Sequence, residues 1–518
     1  MRHARTRRLA AFIVAVGLLA SLAAATPVLA ATIVVNTMAD NTTDDDLCSL
    51  REAITTANDD TPIGAGGAGN DCVTGAGPDT ITFSATGTIT LTSALPAISS
   101  DVSIDGAGAI TVNGASAHQV FNISATGTGT LAGLTITGGV APFGGGVNIG
   151  GTLTVTNSTI SGNTATLDGA GILNTGMLTV ISSTISGNTA VGGTIAGNGG
   201  GIVNLGALTV SDSTISGNTA TGGMFGSGAG GGINNFGALT IDNSTISGNT
   251  ADVFGGGVVN SGGTLTLTNS TVSGNTAGSA AGGIFALGVD TLVNTIVVGN
   301  SSDVEGPVET ATTNVIGVPV GLTLADILDP DGLADNGGPT HTIALALVAG
   351  NPAIDTATSA VCSAAPVSGV DQRGMPRPAA CDRGAYEAQP PTVAAHANVS
   401  AIATSAAGAV VTYTAPAGTD EQDGTAAVAC LPASGSTFAV GSTPVTCTAT
   451  DAVGHTGIGS FQVVVGALGA ATPTPALLPN TAAGAGTAGA SGLTTAIAAV
   501  SLVSLALLVR ATRKGSRR

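Results

Sequence analysis

The sequence predicts an all-β chain, a right-handed parallel β-helix followed by a small β-sandwich, and three observations carry that prediction. An octapeptide, Ser-Thr-Ile-Ser-Gly-Asn-Thr-Ala, begins at Ser158 and returns at Ser183, Ser213 and Ser244, and at Ser270 with Val272 in place of isoleucine. A worn copy begins at Asn294, and Leu134-Thr135-Ile136-Thr137-Gly138 reads as an earlier one. Successive starts from Ser158 lie 25, 30, 31, 26 and 24 residues apart, the period of a solenoid. Second, one unit written from Gly201 holds three short runs, Ile202-Val203-Asn204, Ala207-Leu208-Thr209-Val210 and Ser213-Thr214-Ile215-Ser216, each closed by Gly, Asn or Asp. Third, 390–466 alternates short strand-like runs with turn residues.

Helical repeats need longer runs at a 3.6-residue period, built from good helix formers. Gly, Thr, Ser and Asn dominate here, and they are poor in helix interiors. Three strands and three turns per coil fit a parallel β-helix, in which each strand pairs with its equivalent in the next coil. Stacking then sets Ile160, Ile185, Ile215, Ile246 and Val272 in one internal column. It sets Asn163, Asn188, Asn218, Asn249, Asn275 and Asn300 in a ladder, with a second ladder at Asn174, Asn204, Asn235 and Asn260. Such amides either satisfy turn backbone groups from within or form an outward binding strip; the turn ladder is the expectation. Residues 81–325 carry this helix. About nine coils at roughly 4.8 Å each make a rod on the order of 40 Å long.

Ahead of the rod, residues 1–30 read as a secretory signal peptide, with a retained anchor as the alternative. Arg2, Arg5, Arg7 and Arg8 precede an apolar run at 9–22, and Val28-Leu29-Ala30 precedes the cut. The Arg7-Arg8 pair hints at twin-arginine export, but the residues after it fit ordinary secretion better. Export sets an oxidising context for Cys48, Cys72, Cys362, Cys381, Cys430 and Cys447. Fifteen pairings are open. Keeping partners inside one module predicts Cys48–Cys72, Cys362–Cys381 and Cys430–Cys447. Metal binding is the alternative, and no Cys-x-x-Cys spacing or histidine partner supports it.

Charge narrows the function classes. All 31 acidic residues lie after Ala30, and between there and the C-terminal tail stand only Arg51, Arg373, Arg377 and Arg383. A surface so acidic repels nucleic acid and suits a solvated extracellular protein. No cofactor is implied, and weak uptake of Ca2+ is the most the carboxylates suggest. Asp329, Asp331 and Asp335 lack the spacing of a calcium loop.

At 31–80, Cys48-Ser49-Leu50-Arg51-Glu52-Ala53-Ile54 opens with a capping box between Ser49 and Glu52. Leu50, Ala53, Ile54 and Ala57 share one helical face, which would cover the open first coil. Arg51 and Glu52 read as a buried or rim ion pair rather than catalytic groups. The spelling Cys-Ser-Leu-Arg-Glu-Ala, with Gly77-Pro78-Asp79-Thr80-Ile81-Thr82-Phe83 after it, resembles the CSLREA domain. That resemblance implies an exported surface protein with β-helix repeats and implies no activity.

Parallel β-helices of this kind resemble pectate lyases, polygalacturonases and phage tailspikes, so catalysis has to be weighed. A lyase acting on uronates takes a proton beside a carboxylate, and the resemblance implies an Arg or Lys base; the repeats hold neither. A glycosidase needs two carboxyls about 5–10 Å apart. Asp212 and Asp242 fall in adjacent coils, one register apart, and His118 is the rod's single histidine. Asp168 and Asp252 stand elsewhere in the repeat. Trp is absent, and Phe and Tyr total only 10 and 2, few for a sugar platform. The expectation is no enzyme and no catalytic residue.

Beyond the rod, Asp335-Asn336-Gly337-Gly338-Pro339-Thr340-His341-Thr342, Gly350-Asn351-Pro352, Asp371-Gln372-Arg373-Gly374 and Cys381-Asp382-Arg383-Gly384-Ala385-Tyr386-Glu387 resemble the choice-of-anchor Q domain. At 326–389 this implies a salt-bridged closing cap. A ligand site of Asp371, Arg373 and Arg383 is the sharper reading. At 390–466, Val428-Ala429-Cys430, Ser434-Gly435-Ser436-Thr437-Phe438 and Cys447-Thr448-Ala449-Thr450-Asp451-Ala452-Val453-Gly454-His455 resemble the hyalin repeat. That implies an immunoglobulin-like module with an adhesive or spacer role, and Asp451 and His455 as turn residues.

A stalk at 467–492 carries Leu478, Pro479, Asn480, Thr481 and Ala482. An apolar stretch at 493–509 follows, then a basic end at 510–518 with Arg510, Arg513, Lys514, Arg517 and Arg518. Pentapeptide, span and basic end resemble a sortase sorting signal, with Ala482 where Gly is usual. Sortase would cut after Thr481 and join it to the cell envelope; otherwise 493–509 stays as a membrane anchor. The reading is an exported, cell-wall- or membrane-anchored surface rod for display or adhesion. Its partners would be sortase, the envelope and an extracellular glycan or protein ligand. The rivals are a polysaccharide lyase or hydrolase and a passive coat protein.

Overall fold

The structure is a computed structural model that describes residues 31–60, 71–73, 77–192, 197–222, 228–310 and 313–468. The leader at 1–30, the motif Leu478, Pro479, Asn480, Thr481 and Ala482, the stretch 493–509 and the basic end all lie outside the described residues.

The repeats wind into a parallel β-solenoid. Every strand pairs in parallel with the strand one repeat on, which builds one 19-stranded, one eight-stranded and one six-stranded sheet. Within a coil, Ile202–Asn204 belongs to the eight-stranded sheet, Ala207–Ser211 and Thr214–Ser216 to the long sheet, and Thr219–Thr221 to the six-stranded one. Register is strict: Ile160 pairs Ile185, Ile185 pairs Ile215, Ile215 pairs Ile246, and Ile246 pairs Val272. All five are 0 % exposed. The columns beginning at Leu153 and Val155 run beside them. Each buried aliphatic side chain contributes roughly 1.5–3 kcal/mol, so repetition of a modest core suffices.

Two tight corners explain why the octapeptide is spelled as it is. Asn157, Ser182, Asp212, Asn243, Asn269 and Asn294 hold left-handed φ of 44–52°, a region Asn and Asp tolerate. Five residues on, Gly162, Gly187, Gly217, Gly248, Gly274 and Gly299 turn again at φ 61–72°. Other glycines are set by closeness: a Cβ on Gly201 would lie 2.5 Å from the Gly232 carbonyl of the next coil. In the early coils the first corner falls inside a single strand: Asp101–Asn113 turns at Ala107 and Gly108, φ 50° and 74°, with a register shift between Asp105 and Ile110, and Gly133 turns at φ 58° on the next coil.

The N-terminal end is covered by the helix α1, Leu50–Asp59. Its capping box is formed, Ser49 N donating to Glu52 Oε2 (2.9 Å) and Glu52 N to Ser49 Oγ (3.2 Å). Leu50, Ala53, Ile54 and Ala57 are at most 1 % exposed and belong to the rod's core. Arg51 pairs with Asp40 (2.8 Å) rather than with Glu52, and also donates to the carbonyls of Ser93 and Ala94. Replacing Ser49 with alanine leaves one helix amide unsatisfied; the expected loss is about 1 kcal/mol, read as a lower urea midpoint with unchanged slope.

The 326–389 region is not an end plug. It folds back along the flank of the rod, over the outward face of the Thr-Ile-Ser strands. Thr159 and Thr184 are half-buried on uncovered coils, whereas Thr214, Thr245 and Thr271 are at most 1 % exposed beneath the segment. On the last such coil the outward positions become Ile296 and Val298, which pack with Ile327, Leu328, Ile343, Leu345 and Tyr386 into a second core. The physical reason is area. Covering one end of a solenoid hides a single rung, while lying along the flank buries apolar surface from several.

Residues 390–466 form a β-sandwich. Val399–Ile402, Thr456–Gly466, Gly441–Thr450 and Val428–Leu431 make its larger sheet, around a core of Val411, Phe438, Val445, Phe461, Val463 and Val465. The disulfides are Cys48–Cys72, Cys362–Cys381 and Cys430–Cys447, each inside its own module.

Candidate functional site

Most of the reactive side chains meet at the seam between the rod's flank and the folded-back segment. Asp242 pairs in register with Ser211, one position before Asp212, as the one-residue offset of the repeats requires. Thr340 Oγ1 donates to the Asp212 carbonyl (3.1 Å) and Thr214 Oγ1 to the His341 carbonyl (2.5 Å). Gln372 is inserted between two coils: its amide donates to Ser213 O, Thr214 Oγ1 and Thr340 Oγ1, and its oxygen accepts from Thr245 Oγ1 (2.7 Å). Asp242 is 1 % exposed, so a polymer in solution does not reach it.

Burial pushes the Asp212 carboxyl up to about 6, with Asn243 opposing by a hydrogen bond and Asp242 adding to the rise. Burial likewise raises Asp242, one of whose oxygens has no hydrogen-bond partner. His118 sits in a turn on the early coils, its amide donating to Gly114 O, far in the repeat order from this pair.

Behind the seam, two guanidinium groups organise the segment. Arg373 pairs with Asp371 (2.8 Å) and Glu421 (2.6 Å), donates to Glu387 O and lies 3.7 Å over the Tyr386 ring. Arg377 bonds Glu387 (2.9 Å) and the carbonyls of Val370, Asp382 and Gly384. Arg383 stands apart, on the carbonyls of Asn314 and Thr356, so Asp371, Arg373 and Arg383 do not form one ligand site. The reason is that each guanidinium is taken up by internal acceptors. Glu421 comes from the sandwich, and with His455 Nε2 at 3.3 Å from Asp355 Oδ2 it ties that module to the segment. Asp451 accepts from the amides of Val453, Gly454 and His455, a turn residue. Asp329 accepts from Asp331 N in a local turn. Among the described residues no group of His, Cys, Asp or Glu is arranged to hold a metal ion.

The asparagine columns are internal. Each amide from Asn163 to Asn275 donates to the next Asn Oδ1 at 2.9–3.0 Å and, from the same nitrogen, to a carbonyl of the preceding coil. The column ends when Asn300 donates to Asp303. These side chains are thus no outward strip. The second ladder, Asn174 to Asn260, runs at 2.7–2.8 Å and ends on Asp290, which occupies the leucine column and has one unpartnered oxygen. Burial raises the Asp290 carboxyl. A raised folded value means stability is lost as pH climbs through it. Asp290→Asn should therefore stabilise the rod at neutral pH by on the order of 1 kcal/mol. The gain should vanish below the ordinary carboxylate range, as read from urea midpoints across pH.

One open feature of the rod is a cleft of about 250 Å³ lined by Phe143, Asp168, Leu173, Asn198, Val203, Leu205 and Phe236. Asp168 accepts from the backbone and side-chain amides of Asn198 at 2.9 and 3.1 Å. Phe143, Leu205 and Phe236 are 43, 52 and 48 % exposed. For Leu205 and Phe236 the signal in the sequence is the residue after each second-ladder asparagine, where they stand in place of Thr175; Phe143 comes from the strand Val140–Phe143 and carries no such signal.

Compared with known proteins, residues 386–465 match the HYR domain model. Among solved structures, the crystal structure of pectate lyase Pel9A aligns with 70 % of this chain and 97 % of its own, at 14 % identity and a TM-score of 0.40. No curated protein matches the chain. Among the described residues no helix is long and apolar enough to cross a membrane.

Proposed function

We propose that this is an exported surface protein working by display and adhesion, with the β-solenoid as a stiff spacer and the HYR module beyond it. The carrying observation is the fate of the polar chemistry. Gln372, Arg373 and Arg377 are at most 8 % exposed and are taken up in organising the segment and fastening it on the rod, while Asp242, 1 % exposed, is closed off from solvent. What the rod offers outward is an apolar cleft and rows of threonine. Three disulfides and an HYR module suit an extracellular setting. In this reading the chain is not an enzyme and does not bind nucleic acid. It is held to the envelope by sortase at Thr481 or by 493–509 as a membrane anchor, and its ligand is a glycan or a protein.

The test is binding of the purified ectodomain to glycan and protein arrays, with Phe236→Asp as the control. Binding that the substitution abolishes supports the reading. Turnover of uronate or neutral glycans, lost in Asp212→Asn or Asp242→Asn, would replace it with the polysaccharide-degrading rival. Mass spectrometry of the mature protein decides the anchor: a C-terminus at Thr481 means sortase, an intact Arg518 the retained span.

A further inference from the structure

The segment over the rod's flank is held by a seam whose charges do not balance. From the rod come Asp212 and Asp242; from the segment come Asp371, Asp382 and Glu387 with Arg373 and Arg377. All but Asp212 are at most 8 % exposed. Glu421 and His455 approach from the sandwich, on Arg373 and Asp355, and Arg383 lies apart on carbonyls. Five carboxyls thus face two guanidinium groups. Neither rod carboxyl has an ion pair among the described residues: Arg377 reaches the rod only at Asn243 Oδ1, 3.4 Å away. Ionised and buried with only the hydrogen bonds of Asn243 and Ser211 and no paired cation, such carboxylates oppose closure; protonated, they do not.

We infer that the 326–389 segment is a proton-dependent clamp, closed on the flank while the seam carboxyls hold protons and lifting from it as they ionise. Opening would uncover Thr214, Thr245 and Thr271 together with the apolar pair Ile296 and Val298, a face otherwise buried. The sign follows from the seam itself. Burial raises Asp212, to about 6, and Asp242. Asp382 and Glu387 are raised as well, but both are bonded inside the segment, Glu387 to Arg377, so the rod's pair sets the response. A carboxyl raised in the closed state favours closure fully below its ordinary value and loses that contribution as pH rises through the raised one. The window for Asp212 therefore runs from its ordinary carboxylate range up through about pH 6, and Asp242 shifts in the same direction. The octapeptide core, with no titratable side chain, lies outside it.

Hydrogen exchange on the whole secreted chain, normalised to the unfolded rate at each pH, tests this. Between about pH 5 and about pH 8, protection of the seam amides of Gly384 and Ala385, which donate to Asn294 O and Thr271 Oγ1 of the rod, should fall about tenfold or more. The uncovered rows Thr159–Ser161 and Thr184–Ser186 should hold. Asp212→Asn, conservative because Asn243 fills that corner in the next coil, should reduce the pH response, and Asp212→Asn with Asp242→Asn should remove most of it. Equal protection at both pH values, an equal fall in the uncovered rows, or a full response in the double variant would overturn the clamp.

Discussion

Replacing Asn218 with alanine in the middle of the first ladder is expected to destabilise the rod by roughly 3–5 kcal/mol. The side chain joins three coils. Its nitrogen donates to Asn249 Oδ1 and Ile185 O, both at 2.9 Å, and its oxygen accepts from the backbone and side chain of Asn188, at 3.1 and 2.9 Å. At 0 % exposure, water does not replace those partners. Each buried group left unpaired costs about 1–3 kcal/mol, and truncation strands two or more. The same change at Asn157, an exposed corner residue at φ 48°, should cost only about 1 kcal/mol, the strain of a left-handed alanine. Denaturation followed by circular dichroism checks the pair; equal losses at the two sites would remove the ladder's special role. Coils couple only to their neighbours, so the Asn218 variant should also broaden the transition by splitting the rod.

Arg377→Met should destabilise the closed segment by about 3–5 kcal/mol, because it leaves Glu387 buried without its partner. Arg377 and Glu387 have 0 and 1 % exposed side chains and meet at 2.9 Å. The same guanidinium bonds the carbonyls of Val370, Asp382 and Gly384, and so joins three turns of the segment. The checking measurement is limited proteolysis across 326–389 with the rod's own melting followed in parallel. The segment should be cut early while the repeats melt almost as before. Adding Glu387→Met should recover part of the loss, since an apolar pair of similar volume no longer strands a charge.

The solenoid was legible because its information is local and repeated. Ile160 and its equivalents announce an inward column, Gly162 and Asn157 announce corners, and in-register stacking follows from equal spelling. The capping helix was legible for the same reason, since Ser49, Glu52 and the Leu50–Ala53–Ile54–Ala57 face lie within ten residues. The ionic partners were not. Arg51 chooses Asp40, eleven positions away, over the adjacent Glu52, which its own helix cap has already engaged. Nothing in the spelling of Gln372 says that it will slot between Thr214 and Thr245, more than a hundred positions earlier. The one trace of the fold-back is the change of Thr271 and Ser273 to Ile296 and Val298 on the last coil, a polar face turning apolar where it is to be covered.

By itself, then, the chain's spelling determined the coil: its period, its inward columns, its corners and its amide ladders, because every one of these is a nearest-neighbour relation that recurs. Tertiary structure alone decided that residues 326–389 lie along the flank instead of over the end, that five carboxyls share one seam, and that Phe143 and Phe236 line one cleft. Those outcomes depend on how much apolar area and how many hydrogen bonds distant surfaces can exchange, quantities that exist only once the coils have stacked.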